Sequence, residues 1–168
     1  SPTALPTAVA GDGPNMRAGR TAALELKKVL SDYYKGIGIL ESSFLAPLNG
    51  SNSSTALSDQ FARAIVWKRP FVVGAVGSSV TAGHDSCNFD SYEKQLERTM
   101  KPIFDAIGIG FVVRNAGEGG ACGDTYRNQI FCLRNLVGDD VDAIHYSWTY
   151  FESSDKNVFH ELFLRWAS

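Results

Sequence analysis

Ser79 lies in the run Phe71-Val-Val-Gly-Ala-Val-Gly77-Ser78-Ser79-Val80-Thr81-Ala82-Gly83-His84-Asp85, where an apolar, β-branched stretch of strand length breaks at a glycine into small hydroxylated residues. Nucleophilic acyl transfer needs a hydroxyl at an open turn, small neighbours that leave room for a substrate, and a backbone N–H aimed at the developing oxyanion. This run supplies all three. A second glycine cluster, Ala116-Gly117-Glu118-Gly119-Gly120, follows another strand-like stretch, Phe111-Val-Val-Arg-Asn115. Without chemistry, the same residues make small-residue turns between strands and helices, so local sequence leaves both readings open.

Glycine turns after strands also serve phosphate binding, but here they lack its signatures. Gly77 to Gly83 has no P-loop lysine, and Cys122 stands where a dinucleotide fingerprint wants its last glycine. The cysteines Cys87, Cys122 and Cys132 form no CxxC pair, and the three histidines, His84, His145 and His160, do not cluster, which argues against a zinc site. No cofactor and no metal are expected. A formal charge of −2 gives no electrostatic reason to propose nucleic acid as a partner, and no stretch approaches the apolar length of a membrane span.

Several elements must position Ser79. Ala23, Leu26, Leu30 and Tyr33/Tyr34 recur at helical spacing and predict a helix from about Thr21 to Lys35, stopped by Gly36. Ser58 caps a short helix from Asp59 to about Val66, and Pro70 breaks it before the strand that begins at Phe71. Asp90 and Glu93 have capping spacing ahead of Tyr92, Leu96, Met100, Ile103, Phe104 and Ile107, which predicts a helix from about Ser91 to Ile107 with a kink or new turn at Pro102. A helix from about Thr125 to Val137, a strand Val141–Trp148 and a helix within Asp155–Trp166 complete the chain. In that third strand Ile144, Tyr146 and Trp148 share one face, and His145 and Ser147 share the other. Alternating strands and helices with short loops imply a parallel α/β sheet, whose ligands bind at the carboxyl ends of the strands. Both glycine turns fall there.

Together these residues resemble the SGNH (GDSL-type) hydrolase family, closest to secreted SGNH-like proteins of eukaryotic microbes. Gly77-Ser78-Ser79-Val80-Thr81-Ala82-Gly83 looks like the family's first block, with Ser79 as nucleophile and Ser78 in place of the usual aspartate. Val113-Arg-Asn115-Ala-Gly117-Glu-Gly-Gly120 is similar to its second block, which makes the Gly120 backbone N–H the candidate second oxyanion donor beside that of Ser79. The resemblance covers about Phe71 to Glu152. It implies a flavodoxin-like three-layer α/β fold with a parallel sheet, here incomplete, preceded by an N-terminal arm and helix, and an ancestral acyl- or acetyl-ester hydrolysis through Ser79.

The pattern then departs from the family. Its Gly-x-Asn-Asp block is replaced by Trp148-Thr-Tyr-Phe151-Glu152, with an aromatic in place of the oxyanion asparagine, and its Asp-x-x-His block is missing. His84 is the candidate base nearest Ser79 in sequence, His145 reads as a hydrogen-bonded core or interface residue, and His160 reads as exposed. Two functions follow as alternatives: an SGNH-like esterase impaired or inactive in this chain alone, or a non-catalytic structural or binding subunit of a larger extracellular or organellar assembly. Both predict another polypeptide covering the unpaired sheet edge. The first adds an ester or acetylated carbohydrate substrate.

The expected organisation is a flexible arm over 1–20, a helical segment with a glycosylatable loop over 21–69, and a truncated SGNH-like core over 70–168. The sequons at Asn49 and Asn52 and an expected bridge between Cys122 and Cys132, with Cys87 free or paired to another chain, favour a processed chain of the secretory pathway or extracellular space.

Overall fold

The structure is a computed structural model that describes residues 13–39, 53–84, 90–118, 129–148 and 161–165. Asn49, Asn52, Cys87, Gly120, Cys122 and His160 lie outside the described residues. The chain divides into two compact units, one of Ser1–Pro70 with Lys101–Gly110 and one of Phe71–Met100 with Phe111–Ser168.

The first unit is helical. Helix α1 spans Pro14–Gly36 and begins seven residues earlier than the apolar spacing predicts. Gly13 and Pro14 read as part of a loose arm, but proline at the first helical position loses no hydrogen bond and has its φ already set for the helix. Helix α2, Ser53–Val66, likewise starts earlier than predicted, within the serine-rich stretch. The buried residues of this unit include Ala64, Ile103, Phe104 and Ile109, and the Phe61 and Phe104 rings meet edge-on at 5.3 Å. Gly19 is buried in α1, and a β-carbon there would strike the side chain of Ile107.

The second unit carries the sheet. Strands β1 (Phe71–Gly77), β2 (Phe111–Asn115) and β3 (Ala143–Ser147) are all parallel, in the order β2-β1-β3. Between them run α3 (Ser79–Ala82), α4 (Tyr92–Ile107) and α5 (Leu133–Val137), and residues 161–165 form a last helical segment, α6. The fold is α/β with a parallel sheet, as expected. Helix α4 runs through Pro102 and belongs to both units, changing from the second to the first after Met100.

One face of the sheet is apolar. Val76, Ile130, Leu133, Val137 and Phe163 form a buried cluster, with Ile144 and Tyr146 packed against it, and the Tyr146 and Phe163 rings stack at 4.3 Å. Gly74 keeps β1 bare where Val137 crosses it, since a β-carbon there would lie 2.9 Å from Val137 Cβ. The opposite face pairs Ala75 with His145 and Gly77 with Ser147, and Tyr92 at the start of α4 reaches His145 there.

Strand ends and edges are tied by side chains. Asp142 Oδ2 accepts from the Val72 N–H at 2.9 Å. On β2, the Val113 N–H donates to Glu97 Oε2 at 2.9 Å. Arg114 reaches from β2 to the Val137 carbonyl at 2.6 Å and pairs with Asp140.

Candidate functional site

Ser79 opens α3 directly after the carboxyl end of the central strand. From β1 the chain passes to β2 on one side and then crosses to β3 on the other, so Ser79 stands where the winding direction reverses. In open α/β sheets that reversal leaves a crevice outside the strand ends, and ligands bind there. The α3 turn closes on Gly83, whose φ of 89° is left-handed and suits glycine. Ser79 is half-buried, and Val80 beside it is 42% exposed.

The second glycine turn lies directly against the first. A β-carbon on Gly117 would fall 2.5 Å from the Thr81 carbonyl carbon and into contact with the Ala82 amide nitrogen, so only glycine allows this approach. Gly77 has the same constraint, because a β-carbon there would meet the Thr81 side chain and lie 2.9 Å from Ser147 Cβ. Backbone bonds continue the pairing past the strands: the Ala116 N–H donates to the Ala75 carbonyl at 2.8 Å and the Glu118 N–H to the Gly77 carbonyl at 3.1 Å.

Two side-chain amides bolt the turns together. Asn115 Nδ2 donates to the Thr81 carbonyl at 2.6 Å and to Glu93 Oε2 at 3.2 Å, while its Oδ1 accepts from the Gly117 N–H at 2.7 Å. On the other face Gln129, 1% exposed, donates to the Gly77 carbonyl at 2.9 Å and the Ala116 carbonyl at 2.8 Å and accepts from Trp148 Nε1 at 2.7 Å. The amides of Ala116, Gly117 and Glu118 are therefore all engaged. An oxyanion donor from this turn must come from beyond Glu118; the expected one, Gly120, lies outside the described residues.

Compared with protein-family models, curated proteins and solved structures, the chain gives no match.

No described residue hydrogen-bonds the Ser79 hydroxyl. His84, the expected base candidate, follows Gly83 and is exposed. His145 is hydrogen-bonded, with Nδ1 2.8 Å from the Tyr92 hydroxyl, but it is exposed and not part of the core. The register places it beside Ala75, four residues before Ser79, so it belongs to the layer under the turn. Cys132 is an exposed free thiol, and its expected partner, Cys122, is not among the described residues. Among the described residues no group of His, Cys, Asp and Glu could hold a metal ion, and no helix is long and apolar enough to cross a membrane.

Beneath the turn Thr81, Tyr92 and His145 form a chain, with Thr81 Oγ1 3.3 Å from the Tyr92 hydroxyl. Burial, and after it the neighbouring Glu93 carboxylate, push the Tyr92 phenol up to about 12, against an opposing pull from the hydroxyls of Thr81 and Ser147. The tautomer of the His145 ring decides which of the two groups donates in the Tyr92–His145 bond.

This arrangement makes stability fall at alkaline pH. An unfolded phenol ionises near 10 and the folded one near 12, so its contribution is whole below pH 10 and disappears as pH rises from 10 through 12. Denaturant melts at pH 9 and pH 11 should show Tyr92→Phe losing less stability over that interval than the natural chain. Equal losses would refute the assignment.

Glu93 is the residue whose role the sequence disguises most. Its spacing from Asp90 suggests a helix cap, yet Asp90 pairs with Arg98 at 2.9 Å and Glu93 is 1% exposed against Asn115, with Oε1 lacking a hydrogen-bond partner. Gln129 did leave a trace. Gln129, Leu133 and Val137 recur every four residues, so a polar amide sits on a core-facing stripe.

Proposed function

We propose that the second unit is an SGNH-type ester-hydrolase scaffold, with Ser79 as the nucleophile toward an acyl or acetyl ester. The observation that carries this reading is the place of Ser79: first residue of a helical turn, at the carboxyl end of the central parallel strand, where the winding reverses. The close approach of Gly117 to α3 supports it, because it sets the second glycine turn directly against the turn that carries the serine. In this reading the Ser79 and Gly120 amides hold the oxyanion. Neither described histidine hydrogen-bonds Ser79, so the general base comes from outside the described residues.

Treating the full chain with a fluorophosphonate and mapping the modified peptide tests this. Labelling should be confined to Ser79 and vanish in Ser79→Ala, with the far-ultraviolet spectrum unchanged. No labelling, with a serine hydrolase control reacting in the same tube, would sink the nucleophile reading.

A second reading, a structural or binding subunit, is favoured by one observation. Strand β3 is an edge strand among the described residues. An edge of that kind pairs readily with another chain.

A further inference from the structure

One buried side chain near the site has every polar hydrogen and its carbonyl oxygen bonded, yet the sequence assigned it no role. Gln129 lies in a helical turn just ahead of α5 and is almost wholly enclosed. Both protons on Nε2 are used, one on the Gly77 carbonyl and one on the Ala116 carbonyl, and Oε1 takes the Trp148 indole N–H. These three partners are the last residue of β1, the first residue after β2 and the first residue after β3. One amide thus joins the carboxyl ends of all three strands.

We infer that Gln129 is the positioning residue of the Ser79 turn, setting its height against the second glycine turn. The inference rests on the reading of Ser79 as nucleophile. Gly77 is two residues ahead of Ser79, and its carbonyl receives both Gln129 Nε2 and the Glu118 N–H, so a shift of Gln129 moves the two turns relative to each other. No other side chain reproduces the set. Glutamate matches the shape but places a carboxylate oxygen against two carbonyls. Methionine fills the volume but leaves the Ala116 carbonyl and the buried indole N–H without these partners. Asparagine is one methylene short.

Misplacement of a reacting group by about 1 Å costs on the order of a hundred-fold in rate. Gln129→Met and Gln129→Glu, made in the full chain, should therefore slow fluorophosphonate capture by Ser79 about a hundred-fold at a temperature where both remain folded. Amide hydrogen exchange supplies the second readout. Exchange at Ala116 and Glu118, which bond the β1 carbonyls, should accelerate while Val73 within β1 stays protected. A packing role alone would lower the melting temperature and leave the capture rate of the folded protein within two-fold of the natural chain. That result, or unchanged exchange at Glu118 in a folded variant, overturns the inference. If the natural chain is not captured at all, the nucleophile reading fails separately, and the exchange readout still decides whether Gln129 sets the two turns. If Gln129→Met does not fold, the decision passes to Gln129→Glu, which keeps the acceptor for Trp148.

Discussion

Gly117→Ala is expected to cost about 3 kcal/mol, the upper part of the range for a forced insertion into packed structure, and to lower the melting temperature by roughly 10 °C. The new methyl group would meet the Thr81 carbonyl carbon and the Ala82 amide nitrogen. Both are backbone atoms of α3, so neither can swing aside as the end of a side chain would. Relief requires the two glycine turns to separate. Separation stretches the bond from Asn115 Oδ1 to the Gly117 N–H and the bond from the Glu118 N–H to the Gly77 carbonyl. Thermal melts of Gly117→Ala and Gly36→Ala, read together, isolate the cause, because nothing lies within 4 Å of a β-carbon at Gly36. Equal stability of the two variants would mean that the turns do not touch as described.

Phe163→Ala should be at least as damaging, at about 3–5 kcal/mol, the usual cost of emptying a buried aromatic site. Phe163 is 6% exposed, stacks on Tyr146 of β3 and closes the cluster of Val76, Ile130, Leu133 and Val137. Its removal leaves a void under the face that holds Gln129 and α5. Phe163→Leu fills most of that void and should recover more than half of the loss in a urea titration. A Phe163→Ala chain with an unchanged urea midpoint would show that α6 does not contribute to the core.

Much of the sheet was legible because its strands are written in short, uninterrupted apolar runs. Phe111–Asn115 is a strand with the ends that the sequence predicts, and the separation of Ile144, Tyr146 and Trp148 from His145 and Ser147 follows from alternation alone. Helix starts were less legible. Pro14 and the serines at 53 and 54 carry loop-like composition, and a helix whose first turn lacks apolar spacing gives periodicity nothing to detect. The roles of Asn115, Glu93 and Gln129 were not legible for a different reason, although the place of Gln129 on a core-facing stripe was. Each makes its decisive bonds to residues at least 13 positions away, across elements that the chain order does not place together. Glycines at 77 and 117 were visible as turn formers, but their second task, admitting a neighbouring segment at van der Waals range, depends on the same long-range packing.

The Glu97 carboxylate on the Val113 N–H gives the sheet a direction of growth. An incoming strand on the β2 side would have to break that bond and leave a carboxylate between two backbones. A molecule that can be extended at one end only cannot propagate head to tail. Two copies joined through β3 would close on each other about a twofold axis, each terminating the other's free edge, and the product would be a finite pair instead of a fibre.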